Sequence, residues 1–163
     1  MELLLRLAKE SELDTVMGMY GDAREYEGCV WNEYYPDREI LLFDYKNDNL
    51  YVYASGDTVI GAISVELDEE IKGFDCLKVC DGTQISFARV VIAKGYLNQG
   101  YAKKMVSELL EVLRKRGYTS AQILVSPKNI AAMSVYKRLG FEFYNTVEAY
   151  GEEFYLCEKL LGQ

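Results

Sequence analysis

One junction in this chain has the residue types and spacing of an anion site. In RVVIAKGYLNQGYAKKMVSELLEVLRKRG, residues 89–117, an apolar strand (Val90, Val91, Ile92) runs through a short polar loop into an amphipathic helix. Leu97, Asn98, Gln99, Gly100, Tyr101 and Ala102 make the junction. The first turn of a helix leaves backbone N–H groups without intrahelical partners, and the aligned peptide dipoles favour negative charge there, so a phosphate would sit at this point. Gly100 has no side chain to block an anion, and Ala102 keeps the next turn small. Taken alone, the glycine favours an ordinary β–loop–α turn. Other chemistries are excluded outright. The chain has no histidine, which removes Ser-His-Asp and Cys-His catalysis and any histidine base. Without histidine the zinc sets shrink to all-Cys or Cys-carboxylate, and of the four cysteines (Cys29, Cys76, Cys80, Cys157) only Cys76 and Cys80 are close with nothing supplying a second ligand pair, so they read as reduced structural thiols and no metal is expected.

The elements around the junction are legible from periodicity. Ala102, Met105, Val106, Leu109, Leu110 and Leu113 recur at helical spacing, Glu111 and Lys115 form an i, i+4 pair, and Gly117 is a stop. A strand over residues 121–125 ends at Pro127. Asn129 then caps a second helix, whose buried stripe is Ala132, Val135, Tyr136 and Leu139 and whose C-terminal glycine is Gly140, followed by Phe141.

This order resembles the GNAT superfamily of acetyl-CoA-dependent N-acetyltransferases, over about residues 85–143. The segment Leu97-Asn98-Gln99-Gly100-Tyr101-Ala102 is similar to the family's phosphate loop, Gln/Arg-x-x-Gly-x-Gly/Ala, with Leu97 where the family prefers Gln or Arg. Asn129, Tyr136, Gly140 and Phe141 match its Asn-x6-Tyr-x3-Gly-Phe signature. The resemblance implies one domain over residues 1–163, of the α/β (α+β) class. Its central sheet would be mixed and mostly antiparallel, with about seven strands and about four flanking helices. It implies acetyl-CoA as cosubstrate, with the pyrophosphate on residues 97–102, carbonyl-polarising amides at Val90, Val91 and Ile92, Asn129 near the pantetheine arm, and Tyr136 bound against the cofactor as general acid to the thiolate. A packed core tyrosine is the competing reading of Tyr136.

Acidic residues outnumber basic ones 26 to 18, a net charge of −8, which opposes a nucleic-acid surface. No apolar run approaches a membrane span, and residues 3–5 are too short for a signal-peptide core, so a soluble cytoplasmic protein is expected. From the N-terminus, residues 2–8 read as a strand. Ser11 to Asp14 resemble a capping box ahead of a helix that Gly21 interrupts or ends. The stretch over residues 22–45 concentrates acids and aromatics, and Pro36 can open a helix there. In the resembling family this region walls the acceptor site. Glu27, Trp31 and Tyr34 are therefore the candidate acceptor residues, and rings beside carboxylates suit a small cationic amine. The competing reading makes the rings core caps and the acids solvated. Residues 50–65 read as a hairpin, residues 67–78 as a polar connector, and residues 141–148 and 153–159 as a closing hairpin around Gly151. The strand over residues 154–160 is a candidate homodimer edge.

No general base stands out; Glu27, Glu33 and Glu66 qualify by position only. The leading expectation is acetyl transfer to a primary amine by direct attack. The alternatives are a non-catalytic acyl-CoA-binding regulatory module, or a transferase for another acyl-CoA, for which Arg89 is the only nearby cation that could meet a succinyl group.

Overall fold

The computed structural model describes residues 1–66, Ile71, Phe74 and residues 76–162. In chain order the elements are β1 (Leu4–Leu7), α1 (Leu13–Ala23), α2 (Arg38–Lys46), β2 (Leu50–Ser55), β3 (Thr58–Glu66), β4 (Gln84–Ile92), α3 (Tyr101–Lys115), β5 (Ser120–Val125), α4 (Ile130–Arg138), β6 (Glu142–Ala149) and β7 (Glu152–Leu160). The strands form one sheet in the order β1-β2-β3-β4-β5-β7-β6. Every neighbouring pair is antiparallel except β4 and β5. This is the mixed, mostly antiparallel seven-stranded sheet expected from the sequence.

Helices cover both faces, so the central strands are buried on both sides. On β2, Leu50, Val52 and Ala54 face α1 and α2, whereas Tyr51 and Tyr53 face α3 and α4. That is the two-residue alternation of a pleated strand, with apolar residues at both phases. Helix α3 buries Met105, Val106, Leu109, Leu110 and Leu113. Each such side chain contributes about 1.5–3 kcal/mol of gross transfer free energy.

Both helices flanking β5 stop in the same way. In α4 the Gly140 amide donates to the Lys137 carbonyl and the Phe141 amide to the Tyr136 carbonyl, with Gly140 at φ +87. In α3 the Gly117 amide donates to Arg114 and the Tyr118 amide to Leu113, with Gly117 at φ +96. Only a residue without Cβ takes this left-handed position without strain, which is what the two glycines supply.

Three expectations are corrected. Ser11 makes no cap to α1, whose entry is instead a 3-10 turn over Glu10–Glu12. The buried Glu12 carboxylate does the tying, taking Arg6 Nη1 and Nη2 at 2.8 and 2.7 Å and the Lys9 amide at 2.9 Å. Gly21 neither interrupts nor ends α1, because the packing of Val16, Tyr20 and Ala23 outweighs the ~1 kcal/mol propensity cost of one glycine. The strand over residues 154–160 is not a free edge: β7 pairs with β5 on one side and β6 on the other, which leaves β1 and β6 as the edges.

Of the connector over residues 67–78, residues 67–70, 72, 73 and 75 lie outside the described residues. Ile71 and Leu77 bury against Leu156. The amides of Lys78 and Val79 donate to Glu158 of β7, as do Ser120 Oγ and the Tyr144 hydroxyl.

Candidate functional site

The site begins where two strands part. β4 and β5 pair only at Gln84/Ser120, Ile85/Ala121 and Ser86/Gln122. From Phe87 onward the β5-facing edge of β4 has no strand partner among the described residues, so a fork opens toward the C-terminal ends of both strands.

A bulge at the fork changes which way β4 faces. Ala62 pairs with Val91 but Ser64 with Ala88, so β4 carries one extra residue there. Arg89, inside that bulge, sits at φ +53. Phe87, Val90 and Ile92 consequently pack on the α3–α4 side, whereas Val91 and Arg89 face α1 and α2. Without the slip, Phe87, Arg89 and Val91 would share a face.

Tyr136 stands at the vertex of the fork. Its ring meets Phe87 edge-on at 6.0 Å and Phe141 at 5.4 Å, the latter held there by the helix stop. The residue is 3% exposed, and its hydroxyl makes no hydrogen bond among the described residues. Burial, with Cys157 adding to it, pushes the phenol well above its ordinary range, so it stays protonated at neutral pH. Asn129 caps α4, its side-chain oxygen accepting from the Ala132 amide at 3.0 Å, which leaves the carboxamide NH2 as its remaining donor.

The junction before α3 has the opposite character. Asp37 caps α2 and Asn129 caps α4, but no side chain caps α3 and its first turn holds no acid. Asn98 (φ +61) and Gly100 (φ +82) take left-handed backbone as the chain turns into the helix, and Asn98, Gln99 and Gly100 are exposed. Leu97 packs toward the core and so offers no polar group. Tyr101 and Ala102 are half-buried in the first turn, Tyr101 against Tyr96 with Lys104 over its ring. The N-terminal amides of α3 are thus left for an acceptor from outside the chain.

On the other side of β4, residues 24–37 form a wall anchored at several points. The Tyr26 hydroxyl donates to the Ile92 carbonyl at 2.9 Å. Gly28, at φ +78, lies so close to the segment after β5 that a Cβ there would meet the Lys128 carbonyl oxygen at 2.3 Å. Trp31 turns inward, its ring edge-on to Tyr20 at 5.6 Å. Glu27 and Tyr34, the other two candidate acceptor residues, are exposed, Tyr34 at 77%.

The polar centre beside this wall joins Arg89 and Glu66, each noted singly in the sequence, to Asp44, a pairing that sequence reasoning missed. Arg89 is 7% exposed, and Asp44 2%. Arg89 donates from Nε and Nη2 to Asp44 at 2.8 and 3.1 Å, from Nη2 to Glu66 at 3.0 Å, and from Nη1 to the Tyr35 hydroxyl at 3.1 Å. Ser64 Oγ donates to Asp44 at 2.8 Å. Burial alone would lower the guanidinium, but Glu66, Tyr35 and Asp44 outweigh it and raise it further. Arg89 is therefore neutralised by two carboxylates, and its use by a succinyl group is disfavoured. The available signal was an arginine inside the apolar strand ISFARVVI and an aspartate among apolar α2 residues, since buried charges must pair.

Among the described residues no group of three or more His, Cys, Asp or Glu could hold a metal ion, and no helix is long and apolar enough to cross a membrane.

A family model described as the acetyltransferase (GNAT) family matches residues 16–141. The chain is 32% identical over 102 residues to N-alpha-acetyltransferase 30 of Schizosaccharomyces pombe, a match covering 61% of this chain and 61% of that relative's length. A GNAT-family acetyltransferase of Streptococcus agalactiae superposes with a TM-score of 0.82 at 19% identity, covering 97% of this chain and 95% of that one. The yncA protein of Salmonella typhimurium, solved with its cofactor acetyl-CoA, gives 0.74 at 17% identity, covering 100% and 96%. At these identities the two structures establish the shared fold.

Proposed function

Since this chain belongs to the GNAT acetyltransferase family and is an acyltransferase using acetyl-CoA, we propose that it moves the acetyl group to a primary amine by direct attack, with Tyr136 as the general acid. The observation that carries this reading is the Tyr136 hydroxyl: protonated, without a hydrogen-bond partner among the described residues, on a ring packed at the vertex of the β4–β5 fork. The bare amides at the start of α3 receive the pyrophosphate from residues 97–102, and the pantetheine arm lies in the fork, with the Asn129 carboxamide beside it. In the segment Val90, Val91 and Ile92, the amides on the open, β5-facing edge of β4 polarise the thioester carbonyl as charge develops on its oxygen. The deprotonated amine attacks, the carbon–sulfur bond breaks, and the phenol gives its proton to the departing thiolate. The nitrogen loses a proton to solvent, and the phenol is reprotonated from it. Holding the two reactants together supplies much of the rate.

The similarity to an N-alpha-acetyltransferase supports the α-amine of a polypeptide as acceptor. The acidic balance of the chain favours a small cationic amine as a second reading. The test is incubation with acetyl-CoA and three acceptors: a peptide with a free N-terminus, the same peptide blocked at its N-terminus but carrying a lysine, and a polyamine. Products are read by mass spectrometry. Acetylation of the free-N-terminus peptide alone supports the first reading, and acetylation of the polyamine the second. Tight acetyl-CoA binding with no amide product would favour the non-catalytic module.

A further inference from the structure

The cluster around Arg89 holds more negative charge than fastening α2 to the sheet requires. Arg89 and Asp44 alone would make a neutral strut between β4 and α2. Glu66 adds a second carboxylate, so one cation faces two anions. The hydrogen bonds show where the surplus lies. Asp44 is filled: Oδ2 takes Arg89 Nε and Ser64 Oγ, and Oδ1 takes Arg89 Nη2. Glu66 is not, because its Oε2 takes Arg89 Nη2 while its Oε1 takes no hydrogen bond among the described residues, and the side chain is 30% exposed.

Position and surroundings point to a ligand. Glu66 is the register partner of Ser86, the last β4 residue joined to β5, so it stands one strand from the vertex of the fork. The bulge has turned Arg89, and the carboxylate it grips, toward the α1–α2 wall. The Tyr35 ring borders the cluster and is 39% exposed, a surface that attracts a cation. The Tyr20 hydroxyl is fully buried and meets no partner at full hydrogen-bond geometry among the described residues. Ser64 lies within hydrogen-bonding influence of it, and Arg89, Asp44 and Tyr35 lie around it. A carboxylate oxygen left unfilled at the solvent edge of a buried charge cluster marks a place that a donor can occupy.

We infer that Glu66 is the carboxylate that receives the ammonium group of the acceptor, and that Arg89, locked by Asp44 and the β4 bulge, is the positioning residue that aims it. The inference rests on the proposed transfer to an amine and supplies the recognition step that transfer needs. It selects cationic amines over neutral nucleophiles, because the cluster keeps one net negative charge for the incoming group.

The test is steady-state kinetics of Glu66→Gln with the peptide or polyamine that the wild type acetylates. The amide keeps the shape and still accepts from Arg89, but the surplus charge is gone. The expected result is a KM for the amine raised about 10-fold or more, the loss of one charge-assisted hydrogen bond, with the KM for acetyl-CoA and the melting temperature unchanged. Glu66→Asp, which keeps the charge and shortens its reach, is expected to fall between the two. A KM for the amine within twofold of wild type in both variants overturns the inference while leaving the transfer standing. Wild-type protein that acetylates no amine overturns both.

Discussion

At the residue scale, two side chains near the fork make opposite demands. The Tyr136 hydroxyl makes no hydrogen bond among the described residues, so Tyr136→Phe keeps the ring against Phe87 and Phe141 and removes only the hydroxyl. The expected cost in stability is within about 0.5 kcal/mol, and the expected loss in kcat is about 10²-fold or more, the usual range for a general acid. Thermal melts and thiol release separate the two effects. Arg89 is the reverse case. Arg89→Met would leave Asp44 and Glu66 facing each other without a cation, and breaking a buried pair from one side costs about 3–5 kcal/mol. The urea midpoint should fall accordingly, and an unshifted midpoint would show that the Arg89 pairing does not carry this stability. The two residues also differed in legibility. Tyr136 lies in a fixed spacing between Asn129 and Gly140 that survives in the sequence. The orientation of Arg89 depends on a one-residue bulge, and strict alternation would have set it beside Phe87 on the wrong face.

At the element scale, the α1–α2 segment is held by close backbone approach as well as by side chains. Gly28 at φ +78 leaves no room for a methyl group against Lys128 and Asn129, the residues that open α4. Gly28→Ala should therefore push the acceptor wall away from the α4 N-terminus. A left-handed non-glycine residue with a hard contact costs about 1–3 kcal/mol. The KM for the amine should rise more than that for acetyl-CoA, and equal changes would place the contact outside the acceptor wall. The helices on both sides of β5 were readable because their stops and the Asn129 cap are local hydrogen-bond chemistry. The start of α1 was not. Ser11 has the right residue type, but Glu12 is drawn by Arg6 from β1, a partner that local sequence does not reveal.

At the scale of the whole molecule, the sheet order places the last strand, β7, inside the sheet between β5 and β6, and the fork exists because β5 joins β4 for only three residue pairs. Neither follows from strand periodicity, which carries no register. The carboxylates that tie distant parts together make stability depend on pH. Hydrogen bonds from Arg6, opposed by burial, hold Glu12 below its ordinary range. Burial would raise Glu158, but hydrogen bonds from Tyr144, Lys78, Ser120 and Val79 outweigh it and lower it. For both groups the unfolded chain takes up protons before the folded one does. Their contribution is therefore complete above the ordinary carboxylate value of about 4.3 and is lost as pH falls through the lower folded value. Glu158→Gln should flatten that acid limb in urea midpoints measured across pH, and an unchanged limb would remove Glu158 as its source. The central claim is tested most directly by thiol release from acetyl-CoA with a productive amine, wild type against Tyr136→Phe, with acetyl-CoA affinity measured alongside. Loss of turnover with affinity retained is the predicted result; equal turnover by the two proteins would contradict the assignment of Tyr136 as the proton donor.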